Sequence, residues 1–216
     1  MDKKTIFNQL TVRYPALVNL ESAIGKAAAA IIECYTMGGK LLICGNGGSS
    51  SDSEHFSAEL MKSFENRRPL VLKLANKLKK IAGSRGEMLA EKLECGLPAV
   101  PLSANSALIT AISNDTEPGL VFAQQVVGYG KTGDILIGIS TSGNSQNVID
   151  ACITAKALEM KVIGITGKSG GKMKNFCDIL INVPEDKTAD AQELQLPVIH
   201  SICRIVENHF FPHSKK

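Results

Sequence analysis

The chain repeats one local pattern three times: a short apolar run, a loop of small and hydroxyl-bearing residues, and then a helical pattern. The apolar runs are LLIC at 41–44, DILIGI at 134–139 and KVIGI at 161–165, and Gly, Ser or Thr residues follow each of them directly. Apolar runs of this length are typical of strands that are buried on both faces, as in parallel sheets. The pattern therefore predicts an α/β fold with a doubly wound parallel sheet flanked by helices.

Other segments complete this prediction. Apolar residues recur every three or four positions in 16–37, which predicts an N-terminal amphipathic helix, and a long C-terminal helix is expected at about 189–211. Further strands are expected at 98–102 and 178–183, and a polar turn at 113–115.

Length and composition bound the possibilities. With 216 residues, 44% apolar and 21% charged, the chain is expected to form one soluble domain over 1–216. It has no uninterrupted apolar run of the ~18 residues that would cross a bilayer, and the opening MDKKTIFNQL does not resemble a signal peptide. The six cysteines contain no C-x-x-C pair, so reduced thiols and a cytoplasmic location are expected.

The segment from Pro69 to Gly96 has a different character. Apolar residues at helical spacing alternate with lysines, and a break at 83–86 predicts a helical hairpin. Nine Lys or Arg against three Glu give residues 62–92 a local charge of +6, whereas the whole chain carries +3. A basic amphipathic helix can contact nucleic acid or a membrane, but a solvated cationic face is the commoner case. Since the segment has no aromatic residue, nucleic-acid binding is not expected, nor is membrane contact.

Two loops at strand ends are candidate phosphate sites. Residues 46–51 and 140–145 are rich in Gly, Ser, Thr and Asn, and both lead into helices, whose N-termini attract anions. The first loop lacks the lysine of a nucleoside-triphosphate P-loop and the spacing of a dinucleotide-binding fingerprint. Tight turns without a ligand are the alternative for such loops.

Two pairs of residues carry candidate acid–base chemistry. His55 and Glu59 are four residues apart, so they share one helix face, and Gln192 and His200 are two turns apart on the last helix. Each histidine could equally be a hydrogen-bonded core residue, and His200 lies in an apolar stretch where burial would tune its pKa.

Taken together, these motifs resemble the phosphoheptose isomerases, which are members of the sugar isomerase (SIS) domain group. The resemblance covers about 16–211, except for a helical-hairpin insertion at about 70–97. It is carried by successive motifs of the sequence: LLICGNGGSSSDSEHFSAEL, SNDTEPGLVFAQQV, GDILIGISTSGNSQNVI, ITGKSGGKM and QELQLPVIH.

The resemblance implies a set of site residues. Glu59 and His200 match the catalytic pair, and Gln192 is also implied in substrate binding. The residues that would hold the phosphate are Ser140, Thr141, Ser142 and Ser145, and those that would contact the sugar are Asn46, Gly47, Gly48, Asn114 and Asp115. Some members bind zinc, and the matching ligands would be His55, Glu59, Gln192 and His200. The resemblance also implies a homotetramer with sites at subunit boundaries.

The implied reaction is an aldose–ketose isomerisation, an intramolecular oxidoreduction that needs one group to remove a proton beside the carbonyl and another to return it. A carboxylate and an imidazole on facing helices can exchange these roles. The expected conversion is sedoheptulose 7-phosphate to D-glycero-D-manno-heptose 7-phosphate through an enediol, for polysaccharide precursors. Two positions depart from the family pattern: Asp190 replaces a usual Arg, and Gln195 replaces a common His.

A second hypothesis is a non-catalytic SIS-domain regulator, one that associates with a replication initiator or senses phosphosugars. The replication-associated relative resembles this chain but lacks a glutamate matching Glu59. Since Glu59 and His200 are both present, the sequence favours the enzyme.

Overall fold

The computed structural model describes residues 2–212. Within them, five strands and eight α-helices alternate along the chain. The strands are β1 Leu41–Gly45, β2 Ala99–Pro101, β3 Ile135–Ser140, β4 Lys161–Thr166 and β5 Ile179–Asn182. The helices are α1 Lys3–Arg13, α2 Glu21–Thr36, α3 Gly48–Met61, α4 Leu72–Lys92, α5 Ser106–Asp115, α6 Val121–Tyr129, α7 Gln146–Ala157 and α8 Thr188–Phe210. The predicted α/β class is confirmed, although the predicted domain span also includes residues 1 and 213–216, which lie outside the described residues.

All strand pairs in the sheet are parallel, and the strand order is β2-β1-β3-β4-β5. The chain leaves β1 toward one edge to form β2, and it then crosses to the other side of β1 to form β3. This reversal opens a crevice at the carboxyl ends of β1 and β3, which is where doubly wound sheets bind ligands. The two loops predicted to bind phosphate follow these two strands.

The sheet is buried on both faces because side chains alternate along each strand. Leu41 and Ile43 contribute to one core cluster, which also holds Ile31 of α2 and Val198 of α8. Leu42 and Cys44 point the other way, into a second cluster that contains residues of α5, α6 and α7. These two layers hold the strand ends in place beneath the site.

The segment Pro15–Thr36 is long and apolar enough to cross a membrane by length and composition. It begins with a 3-10 turn at Pro15–Leu20, where the sequence predicted the start of one continuous helix. Ile24, Ala28 and Ile31 of this segment are buried in the core of the domain, and core helices of folded domains pass the same compositional test.

Helix α4 corresponds to the predicted hairpin. Its helical geometry is interrupted at Ala82 and Gly83, where Gly83 has a φ of +50°. A Cβ atom at Gly86 would collide with the Leu78 carbonyl oxygen, so the two halves fold back closely. The second half ends at Lys92 because Leu93 is extended, earlier than the predicted end at Gly96.

Two local predictions are wrong. The turn expected at 113–115 is the last turn of α5, where Ser113 Oγ donates to the Ile109 carbonyl oxygen at 2.8 Å. Arg68, counted above as part of a basic surface segment, is fully buried. Its buried partner, Glu207, lies 139 positions away in the sequence, so local charge counting could not identify it.

Candidate active site

A cavity of about 260 Å³ lies between the loops that follow β1 and β3, next to the N-terminal part of α8. Its lining residues are Asn46, Gly47, Gly48, Ser49, Ile139, Ser140, Thr141, Ser145, Thr188 and Gln192. Seven of the ten residues predicted to bind substrate are in this set. The structure therefore brings most of the predicted substrate site together.

The loop after β1 turns sharply into α3. Gly47 has a φ of +55°, a conformation that glycine adopts without strain, and α3 begins at the next residue. The first turn of α3 contains no acidic residue, so the partial positive charge of the helix N-terminus is not neutralised locally. This end of the cavity is suited to an anion.

The loop after β3 presents hydroxyl groups to the same cavity. Ser140 Oγ and Ser145 Oγ are 3.1 Å apart, within hydrogen-bond distance, and Thr141 lies between them in the sequence. Ser142, predicted to bind phosphate, is exposed and outside the cavity lining, and its Oγ accepts a hydrogen bond from the Asn144 backbone N–H at 3.1 Å.

A reciprocal amide pair joins the two loops. Asn46 Nδ2 donates to Asn147 Oδ1 at 2.8 Å, and Asn147 Nδ2 donates to Asn46 Oδ1 at 2.9 Å. Asn46 was predicted to contact the sugar, and the structure gives it this second partner, 101 positions away. The sequence analysis did not identify Asn147, although it lies in the recognised GNSQNVI motif.

Gln192 reaches the cavity from α8. Its side-chain amide packs directly on the Cα of Gly48, so that a Cβ atom at Gly48 would lie 2.9 Å from Gln192 Cδ. Thr188, one turn earlier on α8, also lines the cavity and was not predicted. Its position at the start of a helix after a polar connection was the one available signal.

The predicted acid–base residues converge. His55 Nε2 lies 2.9 Å from His200 Nε2 and 3.8 Å from Glu59 Oε1. The two histidines are 145 positions apart, and α3 and α8 bring them together. At 2.9 Å one of the two Nε2 atoms must carry a proton and the other a lone pair. The two histidines are therefore joined by one N–H···N hydrogen bond.

The surroundings favour neutral His200. Burial lowers the pKa of the His200 imidazole below 6.5, and the nearby His55 lowers it further, while the Glu59 carboxylate acts in the opposite direction. The ring also packs on Phe64, with ring centroids 5.3 Å apart. At neutral pH His200 can therefore accept a proton.

One carboxylate oxygen of Glu59 receives no hydrogen bond from the residues that the structure describes. Its Oε2 atom is buried and has no hydrogen-bond partner in the structure. A buried carboxylate oxygen without a donor is costly, and such groups occur at sites that receive a ligand or a proton.

The four predicted zinc ligands can be tested against this geometry. Two imidazole nitrogens and a carboxylate are suitable zinc donors, and the unpartnered Glu59 Oε2 could supply the carboxylate atom. Nevertheless, no group of three or more His, Cys, Asp or Glu side chains within residues 2–212 has the arrangement of a metal site. The donor chemistry of His55, Glu59 and His200 fits zinc, and Glu59 would have to move closer to the two histidines to complete the set.

Asn114 and Asp115 are not brought to the cavity. They lie exposed in the last turn of α5, where Asn114 Nδ2 donates to Asp115 Oδ1 at 2.8 Å. Their contact with the sugar stays a prediction.

Comparison with known proteins agrees with these observations. The model of the SIS domain family matches residues 8–94 and 78–167. The phosphoheptose isomerase of Shewanella sp. (strain ANA-3) is 36% identical over 217 residues, which cover 99% of this chain and 97% of the relative.

Two solved structures of phosphoheptose isomerases also match. The one from Neisseria gonorrhoeae is 35% identical, covers 91% of each chain and has a TM-score of 0.73. The one from Francisella tularensis is 34% identical, covers 94% of this chain and 92% of that chain, and has a TM-score of 0.72. In sequence and fold, the chain belongs to the phosphoheptose isomerase family of SIS-domain proteins.

Proposed function

We propose that the protein is a ketose–aldose isomerase that converts sedoheptulose 7-phosphate to D-glycero-D-manno-heptose 7-phosphate, a precursor for polysaccharide synthesis. The observation that carries this proposal is the convergence of His55, Glu59 and His200 on α3 and α8, the two helices that also supply one wall of the hydroxyl-lined cavity. The family relationship supports the same reaction.

The substrate phosphate would occupy the end of the cavity formed by Ser140, Thr141 and Ser145. Three hydroxyl groups and the N-terminus of α7 supply donors there without requiring a basic side chain. The sugar would then extend along Gly47, where an added Cβ would meet nothing within 4 Å, toward the two histidines, with the Gln192 amide over Gly48 beside it.

The reaction moves two protons and leaves the carbon skeleton intact. A base removes a proton from C1 of the ketose, the electron pair forms the C1–C2 double bond, and the C2 carbonyl oxygen takes up a proton, which gives an enediol. A proton then returns to C2 while the C1 hydroxyl loses its proton, which gives the aldehyde. Glu59 and His200 serve as the acid–base pair and exchange roles with direction.

The proposal includes zinc as a cofactor held by His55, Glu59, Gln192 and His200; when bound, it would polarise the carbonyl and enediol oxygens. The unpartnered Glu59 Oε2 supports this part of the proposal. The test is a metal analysis of the purified protein, together with activity measurements after chelation, with and without added zinc.

A homotetramer and a cytoplasmic location complete the proposal. A second cavity of about 800 Å³ lies between α1, α8 and residues 64–65, with His200 in its wall, and a partner subunit would cover it in the proposed tetramer. The six cysteines are free thiols, as is usual in a reducing compartment. Analytical ultracentrifugation measures the assembly directly.

The proposed reaction is tested by incubating the purified protein with sedoheptulose 7-phosphate in D₂O. The expected result is aldose formation with deuterium at C2, detected by NMR, because the enediol is protonated from a group that exchanges with solvent. Absence of both aldose and deuterium, with and without added zinc, would contradict the proposal. A non-catalytic regulator would bind the sugar phosphate and give that negative result.

A further inference from the structure

The buried ion pair between Arg68 and Glu207 lies next to the C-terminal end of α3, the helix that carries Glu59. It has no part in the proton transfers described above. Both side chains are fully buried. Arg68 NH2 lies 2.7 Å from Glu207 Oε1, and Arg68 Nε donates to the same oxygen at 2.9 Å. The pair connects the chain just after α3 to the last turns of α8.

Arg68 also completes the C-terminal end of α3. Its NH2 group donates to the carbonyl oxygen of Glu59 at 2.9 Å, and its NH1 group donates to that of Leu60 at 2.5 Å. The last carbonyl groups of a helix have no partner within the helix, and they carry partial negative charge. A guanidinium is therefore a favourable cap, and here it holds the backbone of Glu59 itself.

Glu207 receives a set of backbone donors on the other side. Its carboxylate accepts hydrogen bonds from the N–H groups of Phe64, Glu65 and Asn66, at 2.7, 2.8 and 3.0 Å. The segment after α3 thus wraps around one residue of α8. Phe64, in that segment, packs on the His200 ring.

The geometry of α8 completes the connection. His200 lies seven residues before Glu207, so the two are two turns apart on the same side of the helix. Continuous contacts therefore run from the Glu59 backbone through Arg68 and Glu207 to the helix that carries His200.

Stability is a weak explanation for such a pair. The cost of removing two charges from water offsets most of their attraction, and buried ion pairs can be replaced by apolar residues with little loss. The pair instead fixes the position of α3 relative to α8, because Arg68 donates to three groups: the Glu207 carboxylate and the carbonyl oxygens of Glu59 and Leu60. A displacement of a catalytic group by about 1 Å can cost about a hundredfold in rate.

We propose that Arg68 and Glu207 are positioning residues, which fix the C-terminal turn of α3 against α8 and so set Glu59 opposite His200. The proposal rests on the proposed isomerase function. It assigns to the two residues no contact with substrate.

The first test compares Arg68→Lys and Glu207→Gln with a control, Lys40→Met. Lys40 pairs with the buried Asp134 at the amino ends of β1 and β3, so the control also loses a partly buried ion pair. We expect kcat of the two variants to fall by about ten- to a hundredfold with KM changed less than about twofold. Lys40→Met should lower the thermal unfolding temperature without lowering kcat. Near wild-type kcat in both variants would overturn the proposal.

The second test asks whether Arg68 acts through Glu59. In a protein that already carries Glu59→Gln, adding Arg68→Lys should lower kcat by less than about twofold, because positioning has no further effect once the carboxylate is gone. A full additive loss would indicate a general structural role and contradict the proposal.

The third test needs no substrate and remains decisive if a variant is inactive for another reason. Amide hydrogen exchange of residues 59–66 should become at least about tenfold faster in Arg68→Lys, and in Glu207→Gln, than in Lys40→Met. Unchanged exchange would contradict the positioning role. If the wild-type protein is inactive, the proposed isomerase function is wrong. The exchange measurement then still shows whether Arg68 and Glu207 hold α3 against α8.

Discussion

Two regions of the molecule leave their carboxylates in opposite states. The Asp134 cluster consists of Lys40, Lys131 and Asp134 at the amino ends of β1 and β3. There Asp134 uses both oxygens: Oδ1 accepts from the Lys40 N–H at 2.9 Å, and Oδ2 accepts from the Lys131 N–H at 3.1 Å and from Lys40 Nζ at 2.5 Å. In the acid–base site of His55, Glu59 and His200, Glu59 Oε2 has no partner and Oε1 lies 3.8 Å from His55 Nε2. The carboxylate of the Asp134 cluster is saturated with hydrogen bonds, whereas that of the acid–base site retains an unused acceptor.

This difference indicates that the Asp134 cluster contributes to the stability of the fold, whereas the acid–base site is kept for the reaction. Satisfied polar groups hold the ends of β1 and β3 together, whereas an unsatisfied carboxylate beside two contacting histidines lowers stability and can be retained for chemistry. Substitutions in the acid–base site should therefore change rate more than stability, and substitutions in the Asp134 cluster should do the reverse.

The largest expected effect is at the catalytic pair. Glu59→Gln and His200→Gln should each lower kcat by about 10² to 10⁴, the usual loss on removing a general acid or base. Unfolding by urea should show stability equal to or above that of the wild-type protein for Glu59→Gln, because a neutral amide is less costly at a position without a donor. A variant with wild-type turnover would remove its residue from the assigned role.

The converse substitution is Asp134→Asn. An amide cannot accept all three hydrogen bonds, and Lys40 loses its charge partner, so we expect a loss of about 2–3 kcal/mol in the free energy of unfolding. Lys40 is partly exposed and can turn toward water, which keeps the loss below that of a fully buried pair. Turnover should stay within about twofold of wild type. Unchanged stability together with a lower kcat would contradict the comparison of the Asp134 cluster with the acid–base site.

Whether a feature of the fold or the site could be predicted from the sequence depends on how far apart in the chain the interacting residues are. The strands at 41–44, 134–139 and 161–165 were predicted nearly to the residue, because burial on both faces leaves an uninterrupted apolar run. The loops were found because glycines and hydroxyls cluster at strand ends. In both cases the signal lies within a few adjacent residues.

The contacts that assemble the site have no such local signal. The contact of His55 with His200, the pairing of Asn46 with Asn147 and the pairing of Arg68 with Glu207 each join residues more than a hundred positions apart. Arg68 illustrates the consequence, since it follows another arginine in a segment rich in Lys and Arg, and only the fold buries it. The resemblance to a known family supplied the pairing of Glu59 with His200, and it did not supply the residues beneath them.

A smaller effect is expected from Gly48→Ala, which tests whether the substrate cavity depends on the close packing of Gln192 on Gly48. The new Cβ would displace the Gln192 amide from the cavity, and we expect kcat/KM to fall by about tenfold. Stability should change little, because Gln192 is a side chain that can move and alanine favours a helix. Gly128→Ala is the matched control, since nothing lies within 4 Å of its added Cβ. Equal activity of the two variants would show that Gln192 has no role in the site.

The smallest predicted effect concerns Cys34, beside the Asp134 cluster, at high pH. Burial raises the pKa of the Cys34 thiol to about 11, with a further contribution from the charge of Asp134, whereas an unfolded thiol has a pKa near 9.0. Between these values the folded protein keeps a proton that the unfolded chain releases, so stability falls as pH rises, by up to about 1.4 kcal/mol per pH unit for one thiol. Urea unfolding of wild type and Cys34→Ala at about pH 9 and pH 10 should therefore show a shallower decline in the variant. Because Cys34 Sγ donates to the Lys40 carbonyl oxygen, an equal decline in both proteins would mean that the Asp134 cluster opens to solvent at high pH, contrary to its saturated hydrogen bonding.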